Sequence, residues 1–487
     1  MRLSCFTVAA VMLLSGCLDS PSSTGALDVS PGQTNKASDA PDRSEPSGVR
    51  YTLSLTSKSA ASVLSLPEYA EDVTIVQGIN VFDVDGDGSN EVFICGTTYR
   101  DYVDHPVTVL SVKGGRAIDA TATFFGSDIP NSNQCTGIFF TDLNADGLKD
   151  VVFTDAGMDD PPWTGTAIEV ALNNGSGFRR ITDQFEEQTR GIRAYSVAAG
   201  QLDSDPYGEI ILSSGTDATQ SQVLQFNGDQ VSIGRNKWAP DQWWDVNNAT
   251  NMQVVDLDGD GRDDLYVGGN WASPSNRVFW SGLRAGQASV LPDTPIGHYS
   301  GNFQGDRANV TGVDITSTAI ADFDNDGDLD IVNVAEHVSG RWTGSEYDIL
   351  YGDSFLQVLS QTARRRFQPV RQFFESDFGH RYYLPAMVAD LNNDARPDVI
   401  LNYWRKAGNW RSDNMFSATI LLNLGGMSFQ KVEASDLSGY DRTMKGMIFP
   451  IEVSGSNTRV LILQPRSGRA DLEPRRLTSY VATLVSQ

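Results

Sequence analysis

The chain is poor in cysteine and histidine, with four of each in 487 residues. Structural zinc modules need such ligands paired at short spacing, and no such spacing occurs. Basic charge is also short. Lys and Arg number 37 against 62 Asp and Glu, a formal net charge of −25. That balance argues against nucleic acid and anionic lipid as partners. Long apolar runs are missing too. The one apolar stretch near the start, FTVAAVMLL (6–14), is too short to span a membrane as a helix, and no later segment is longer and as apolar.

What is there is acid in tight clusters. DVDGDGSNE (83–91) recurs as DLNADGLKD (142–150), DLDGDGRDD (256–264), DFDNDGDLD (322–330) and DLNNDARPD (390–398). Positions 1, 3 and 5 are Asp or Asn, and position 9 is Asp or Glu. QLDSDPYGE (201–209) has Gln201 at position 1 and keeps Asp203, Asp205 and Glu209, a weaker donor set. IEVSGSNTR (451–459) is placed by its flanks alone and lacks every acid of the pattern, so it should hold no metal. The starts lie 55 to 68 residues apart. A period of this kind sets the architecture before any other feature.

The residues before each cluster alternate with period two, as in Ile79 and Val81 or Ile138 and Phe140. Short β-branched runs follow, such as VVF and IVN. Both patterns predict strands. IEVALNNGSGFRRI and ILLNLGGMSFQKV add two strands around an Asn/Gly turn. Each repeat is therefore an antiparallel four-stranded sheet, and seven of them predict an all-β, seven-bladed propeller over 51–487. The last repeat stops before its outer strand. YTLSLT (51–56) alternates and can close the ring, leaving no open edge.

Leu14-Ser15-Gly16-Cys17 resembles a bacterial lipobox. The resemblance implies a signal peptide over 1–16, lipidation at Cys17, and the bacterial envelope as location. Leu18 after the cysteine favours the outer membrane over retention. Residues 17–50 are rich in Ser, Pro, Asp and Gly without an aromatic, the composition of a disordered tether. The membrane is then met only through the lipid, and a monomer is expected.

The acidic repeats resemble the FG-GAP, or VCBS-type, repeats of the integrin α-subunit propeller and of bacterial surface proteins. The resemblance implies calcium in the loop between the first two strands of most blades, at about five sites. The residues agree, since calcium takes several oxygen ligands in a flexible cage. The donors are Asp83, Asp85, Asp87 and Glu91; Asp142, Asn144, Asp146 and Asp150; Asp256, Asp258, Asp260 and Asp264. Asp322, Asp324, Asp326 and Asp330, then Asp390, Asn392, Asp394 and Asp398, complete the five. The position-7 residues Ser89, Leu148, Arg262, Asp328 and Arg396 would lend a backbone carbonyl. Gly at position 6 permits the sharp turn, with Ala395 in its place in the copy at 390. An EF-hand is excluded because it needs an acid at position 12, where this chain has Ile94, Phe153, Val267, Asn333 and Leu401. The ions would be structural, locking turns.

The opposite rim should collect the connections between second and third strands and between blades. Trp163, Trp238, Trp243, Trp244, Trp271, Trp342, Trp404 and Trp410 sort there, as do His105, His298, His337 and His380. Only Trp280 reads as a strand residue. Arg381, Arg405 and Arg411 join the aromatics, so His337, Trp342, His380, Arg381, Trp404, Arg405, Trp410 and Arg411 form the expected ligand-binding face, in the fifth and sixth blades. Aromatics stack on sugars or anchor a protein partner, and Arg pairs with acids. Cys95 and Cys135 fall on the same side in neighbouring blades, which predicts a Cys95–Cys135 disulfide in an exported protein. The expected function is a non-enzymatic, calcium-stabilised binding propeller for a glycan or protein ligand, in adhesion or an envelope complex. A polysaccharide lyase or hydrolase and a scaffold for envelope proteins are the alternatives. No nucleophile motif or acid–base pair stands out by spacing, and integrin-type ligand specificity lies in loops this chain does not share.

Overall fold

The period-two runs become strands in all seven repeats. The computed structural model describes residues 51–59, 62–65, 73–98, 104–158, 164–214, 221–234, 251–269, 276–280, 288–291, 310–342, 347–374, 381–405, 415–440, 446–454, 457–465 and 476–486. The chain divides into two units, 1–47 and 48–487. The expected signal peptide and the tether over 17–50 lie outside the described residues.

The second unit is a ring of seven antiparallel blades. Blade 1 consists of Val73–Phe82, Glu91–Thr98, Thr108–Lys113 and Arg116–Asp119. Blade 2 runs through Ile138–Thr141, Asp150–Phe153, Glu169–Asn173 and Phe178–Arg180. Blades 3 and 4 open with Ala194–Gly200 and Met252–Val255. Blade 5 has the longest strands, Val310–Ala321, Asp330–Trp342, Tyr347–Ala363 and Arg366–Phe374. Blade 6 comprises Met387–Ala389, Asp398–Arg405, Met415–Gly425 and Ser428–Glu433, with Arg381–Tyr383 pairing the far end of its second strand.

Blade 7 is completed from the N-terminal side. Leu53–Thr56 pairs with the last strand, Arg476–Ser486, in the register Leu53 to Ser486 and Thr56 to Thr483. A second short strand, Ser62–Ser65, extends the same edge by pairing Ser62 with Ser479. This second segment carries too short an alternation to be read from sequence. A joint between blades also repeats across the closure. The N–H at position 8 of one acidic loop donates to the carbonyl of position 1 or 2 in the preceding blade: Gly208 to Leu143 at 3.0 Å, Asp263 to Gln201 at 3.0 Å, and Asn90 of blade 1 to Ile451 of blade 7 at 2.7 Å. The ends of the unit are thus joined as its interior blades are.

The core lies between neighbouring blades. Second strands are buried on both faces, as in Asp150–Phe153 and Asp264–Val267. That is why they read as continuous apolar runs rather than alternating ones. Val152 and Val170 of blade 2 pack with Val197 and Leu212 of blade 3. Burying each such side chain stabilises by about 1.5–3 kcal/mol. Between blades 1 and 2, Cys95 and Cys135 form a disulfide with Cα atoms 5.7 Å apart. Gly78 lies against it. A Cβ there would come within 2.3 Å of both sulfurs, so only glycine fits.

Candidate metal centres and the opposite rim

Five acidic loops share one hydrogen-bond pattern. The position-1 carboxylate accepts the N–H of position 5 on one oxygen at 3.0–3.2 Å. Its other oxygen accepts the N–H of position 6 at 2.8–3.0 Å. The position-5 carboxylate accepts the N–H of position 7 at 2.8–3.1 Å. Each acid curls the backbone around itself, as Asx turns do. Such a wrap needs two left-handed residues. Position 6 is one of them: Gly88, Gly147, Gly261 and Gly327 at φ 85–94°, and Ala395 at 64°. Position 4 is the other, at φ 58–72°: Gly86, Ala145, Gly259, Asn325 and Asn393. The sequence reading found position 6 and missed position 4, although Gly and Asn there carry the signal.

Position 9 acts as a clamp. Its carboxylate accepts the N–H of the apolar position-2 residue at 2.8–3.1 Å in six loops. The second oxygen accepts from the third strand: Ser111 Oγ on Glu91, and the N–H of Asn173, Gln361 and Asn423 on Asp150, Asp330 and Asp398. Burial raises Glu91, Asp150, Asp330 and Asp398 to about 7, against the backbone hydrogen bonds that lower them and with the help of neighbouring loop acids.

These clusters match a divalent cation to different degrees. Asp83, Asp85 and Glu91 bring ligand atoms within 4.8 Å of one another, as do Asp322, Asp324 and Asp330. Asp324 Oδ1 is buried and without a hydrogen-bond partner among the described residues, and burial with the charges of Asp326 and Asp322 raises its pKa. A buried oxygen left unpaired costs about 1–3 kcal/mol, more when charged. A calcium ion would satisfy it. In the loops at 142 and 390, Asn144 and Asn392 donate to Asp146 and Asp394 at 3.0 Å, removing one charge from each cluster. Arg396 also pairs with Asp394.

Two loops depart from the pattern. At 201–209, Pro206 occupies position 6, where its ring forbids a positive φ and it has no N–H to give. Gln201 reverses the polarity. Its Nε2 donates to the carbonyls of Asp203 and Asp205, holding the loop from within. Asp203, Asp205 and Glu209 still approach within 4.8 Å. At 256–264, Asp256, Asp258 and Asp260 are equally close, yet Arg364 and Arg365 of blade 5 reach into the cluster. Arg365 Nε pairs with Asp258, and Arg364 Nη2 lies 3.3 Å from Asp258 Oδ2 and Asp260 Oδ2. These arginines occupy the hairpin turn where other blades have Asn and Gly. That substitution is the sequence signal that was missed.

The opposite rim is described in part. His337 and Trp342 belong to the strand Asp330–Trp342, paired with Val313 and Tyr347, and so are strand extensions rather than loop residues. Trp404 and Arg405 end the second strand of blade 6, where Trp404 stands between Tyr382 and Phe416 and Arg405 between Arg381 and Met415. The sequence placed these residues in connections because it could not show how far the strands run. His380, Trp410, Arg411, His298, Trp163, Trp238, Trp243, Trp244 and Trp271 lie outside the described residues. His105, expected on this face, is 3% exposed and paired with Ser132 in a two-stranded sheet. Trp280 directly follows the strand Arg277–Phe279 and is buried.

No known family model matches the chain, and no curated protein matches it either. Solved structures do. The BBS1N part of its complex with ARL6DN is 9% identical, with a TM-score of 0.43 over 88% of this chain and 96% of that one. A mutant of AofleA from Arthrobotrys oligospora is 10% identical, with a TM-score of 0.37 over 77% and 90%. An exo-β-1,3-galactanase from Clostridium thermocellum is 10% identical, with a TM-score of 0.32 over 87% and 99%.

Proposed function

We propose that the chain is a non-enzymatic binding propeller of the FG-GAP/VCBS type, held rigid by calcium and anchored to a bacterial envelope through Cys17. The loops at Asp83 and Asp322, which each gather three carboxylates, are the strongest ion sites, and those at Asp142 and Asp390, with Asn at position 3 and with Arg396 on Asp394 in the latter, are weaker ones. The observation that carries the metal reading is the unpaired, buried Asp324 Oδ1 beside Asp322 and Asp330. Bound calcium supplies positive charge and coordination that fix each loop. The chain's own Asp side chains orient the turn, and the position-9 acid ties it to the third strand.

The ligand, a glycan or a protein, meets the rim away from the acidic loops. Support comes from the backbone register, which gathers Arg381, Tyr382, Trp404 and Arg405 at one end of blade 6. Aromatic and Arg residues of this kind are the usual anchors of interfaces. The test is a glycan array probed with calcium-loaded protein. A hit abolished by Trp404→Ala or Trp410→Ala supports the glycan reading. Silence on the array, followed by a partner in a pull-down from envelope extracts that is lost in the same variants, moves the ligand to protein. Turnover of an acidic polysaccharide by the purified protein would overturn the non-enzymatic reading.

A further inference from the structure

We propose that the loop of blade 4, 256–264, is neutralised by Arg364 and Arg365 of blade 5 and not by calcium, so that one of the five complete acidic loops is a permanent, metal-free staple between two blades. The inference rests on the calcium reading of the other loops.

The two guanidinium groups engage the carboxylates at positions 3 and 5, which calcium would need. Arg364 contacts Asp258 and Asp260, and Arg365 contacts both as well, reaching Asp260 Oδ2 at 3.6 Å. The Asp258 side chain is 0% exposed, so its charge has no solvent to fall back on. A divalent ion at the same oxygens would face two guanidinium groups, and the repulsion is strongest from Arg365, 31% exposed, and more screened by water from Arg364, 58% exposed.

The arginines are held in place by their own turn. Gln361, buried in the third strand of blade 5, donates from Nε2 to the Leu257 carbonyl at 2.8 Å and accepts the Arg365 N–H on Oε1 at 3.0 Å. One side chain thus fixes the turn to position 2 of the very loop the arginines neutralise. Arg365 also lies 5.1 Å from the Trp280 ring of blade 4, a favourable cation–π arrangement. Blade 6 repeats the anchor without the charge. Asn423 donates to the Phe323 carbonyl of the blade-5 loop at 2.7 Å and accepts the Gly425 N–H, and the turn that follows is Gly425-Gly426. The same architecture therefore presents arginine to one loop and glycine to the next.

The experiment counts calcium bound per chain by equilibrium dialysis and elemental analysis, on the full chain. Asp258→Asn should leave the count unchanged, Asp324→Asn should lower it by one, and Arg364→Gln with Arg365→Gln should raise it by one. Loss of an ion in Asp258→Asn, or in Asp260→Asn if the first variant does not fold, overturns the inference and leaves calcium at the other loops standing. The Asp variants decide the question even if the double Arg variant fails to fold. A count of zero in the unmodified protein sinks both the inference and the calcium reading on which it rests.

Discussion

The loops of blades 4 and 5, DLDGDGRDD and DFDNDGDLD, share the residues at positions 1, 3, 5, 6 and 9 and one backbone. Both wrap an Asp at position 1 around the N–H groups of positions 5 and 6. They differ in what the next blade brings. Blade 5 offers two arginines to the first loop. Blade 6 offers two glycines to the second, where Asp324 Oδ1 stays unpaired. The motif specifies a turn that concentrates negative charge, and on our proposal the neighbouring hairpin decides which cation would answer it. The blade-3 loop adds a third solution, in which the neutral amide of Gln201 replaces the position-1 carboxylate and binds the loop carbonyls from within.

The largest expected effect is on calcium removal. A ligand that binds only the folded state at 100 times its Kd stabilises by about 2.7 kcal/mol per site. Chelation should therefore lower the melting temperature strongly. Hydrogen exchange tells the two loops apart. Amides of 322–330 should exchange on the order of 100-fold faster after chelation, and amides of 256–264 should change little. Equal acceleration in both loops would erase the contrast.

The pH dependence of the metal-free protein is expected to be smaller. Glu91, Asp150, Asp330 and Asp398 are raised from ordinary carboxylate values to about 7. The folded state then binds more protons than the unfolded one between about pH 4 and 7. Stability is highest at the acidic end of that window and falls as pH rises through 7. A calcium ion bound in place of those protons would bind more tightly over the same rise. Urea unfolding in chelator at pH 5 and pH 7.5 measures the first effect, and a calcium titration at the same two pH values measures the second. A metal-free protein that gains stability toward pH 7.5 would contradict these assignments.

The fold was legible because two signals repeat in register. Period-two runs around six acidic nonapeptides, and the matching flanks of a seventh segment, fix seven hairpins, and the alternation in Leu53–Thr56 announces the closing strand. What stayed hidden is set by contacts between repeats. Nothing local to DLDGDGRDD reveals that residues 364 and 365, a hundred positions later, reach Asp258. The role of position 9 was half legible. Its acidity reads as a metal ligand, but its burial and its bond to the position-2 N–H appear only once the third strand packs behind it. Strand lengths in blade 5 were also hidden. The extension that carries His337 and Trp342 contains Ser339-Gly340, a pair that reads as a turn, yet the strand runs on through it.

The smallest effect tests the backbone that the two loops share. Ala395 holds the left-handed position 6 at φ 64°, where the other four loops use glycine. An L-residue in that region costs about 1–2 kcal/mol. Glycine relieves the strain but gives the unfolded chain more freedom, a loss of about 0.4–1 kcal/mol. Ala395→Gly should therefore stabilise the protein by a net of about 0.5–1 kcal/mol. The reverse change, Gly327→Ala in the blade-5 loop, should destabilise by a similar amount. Nothing lies within 4 Å of a Cβ built on Gly327, so sterics with neighbours do not enter and the backbone term is measured alone. Denaturant unfolding of both variants with calcium present reads the difference. Opposite signs confirm that the wrap around position 1 is one strained conformation shared by these two loops. Equal signs would mean that the loop at 390–398 closes by a different route from the loop at 322–330.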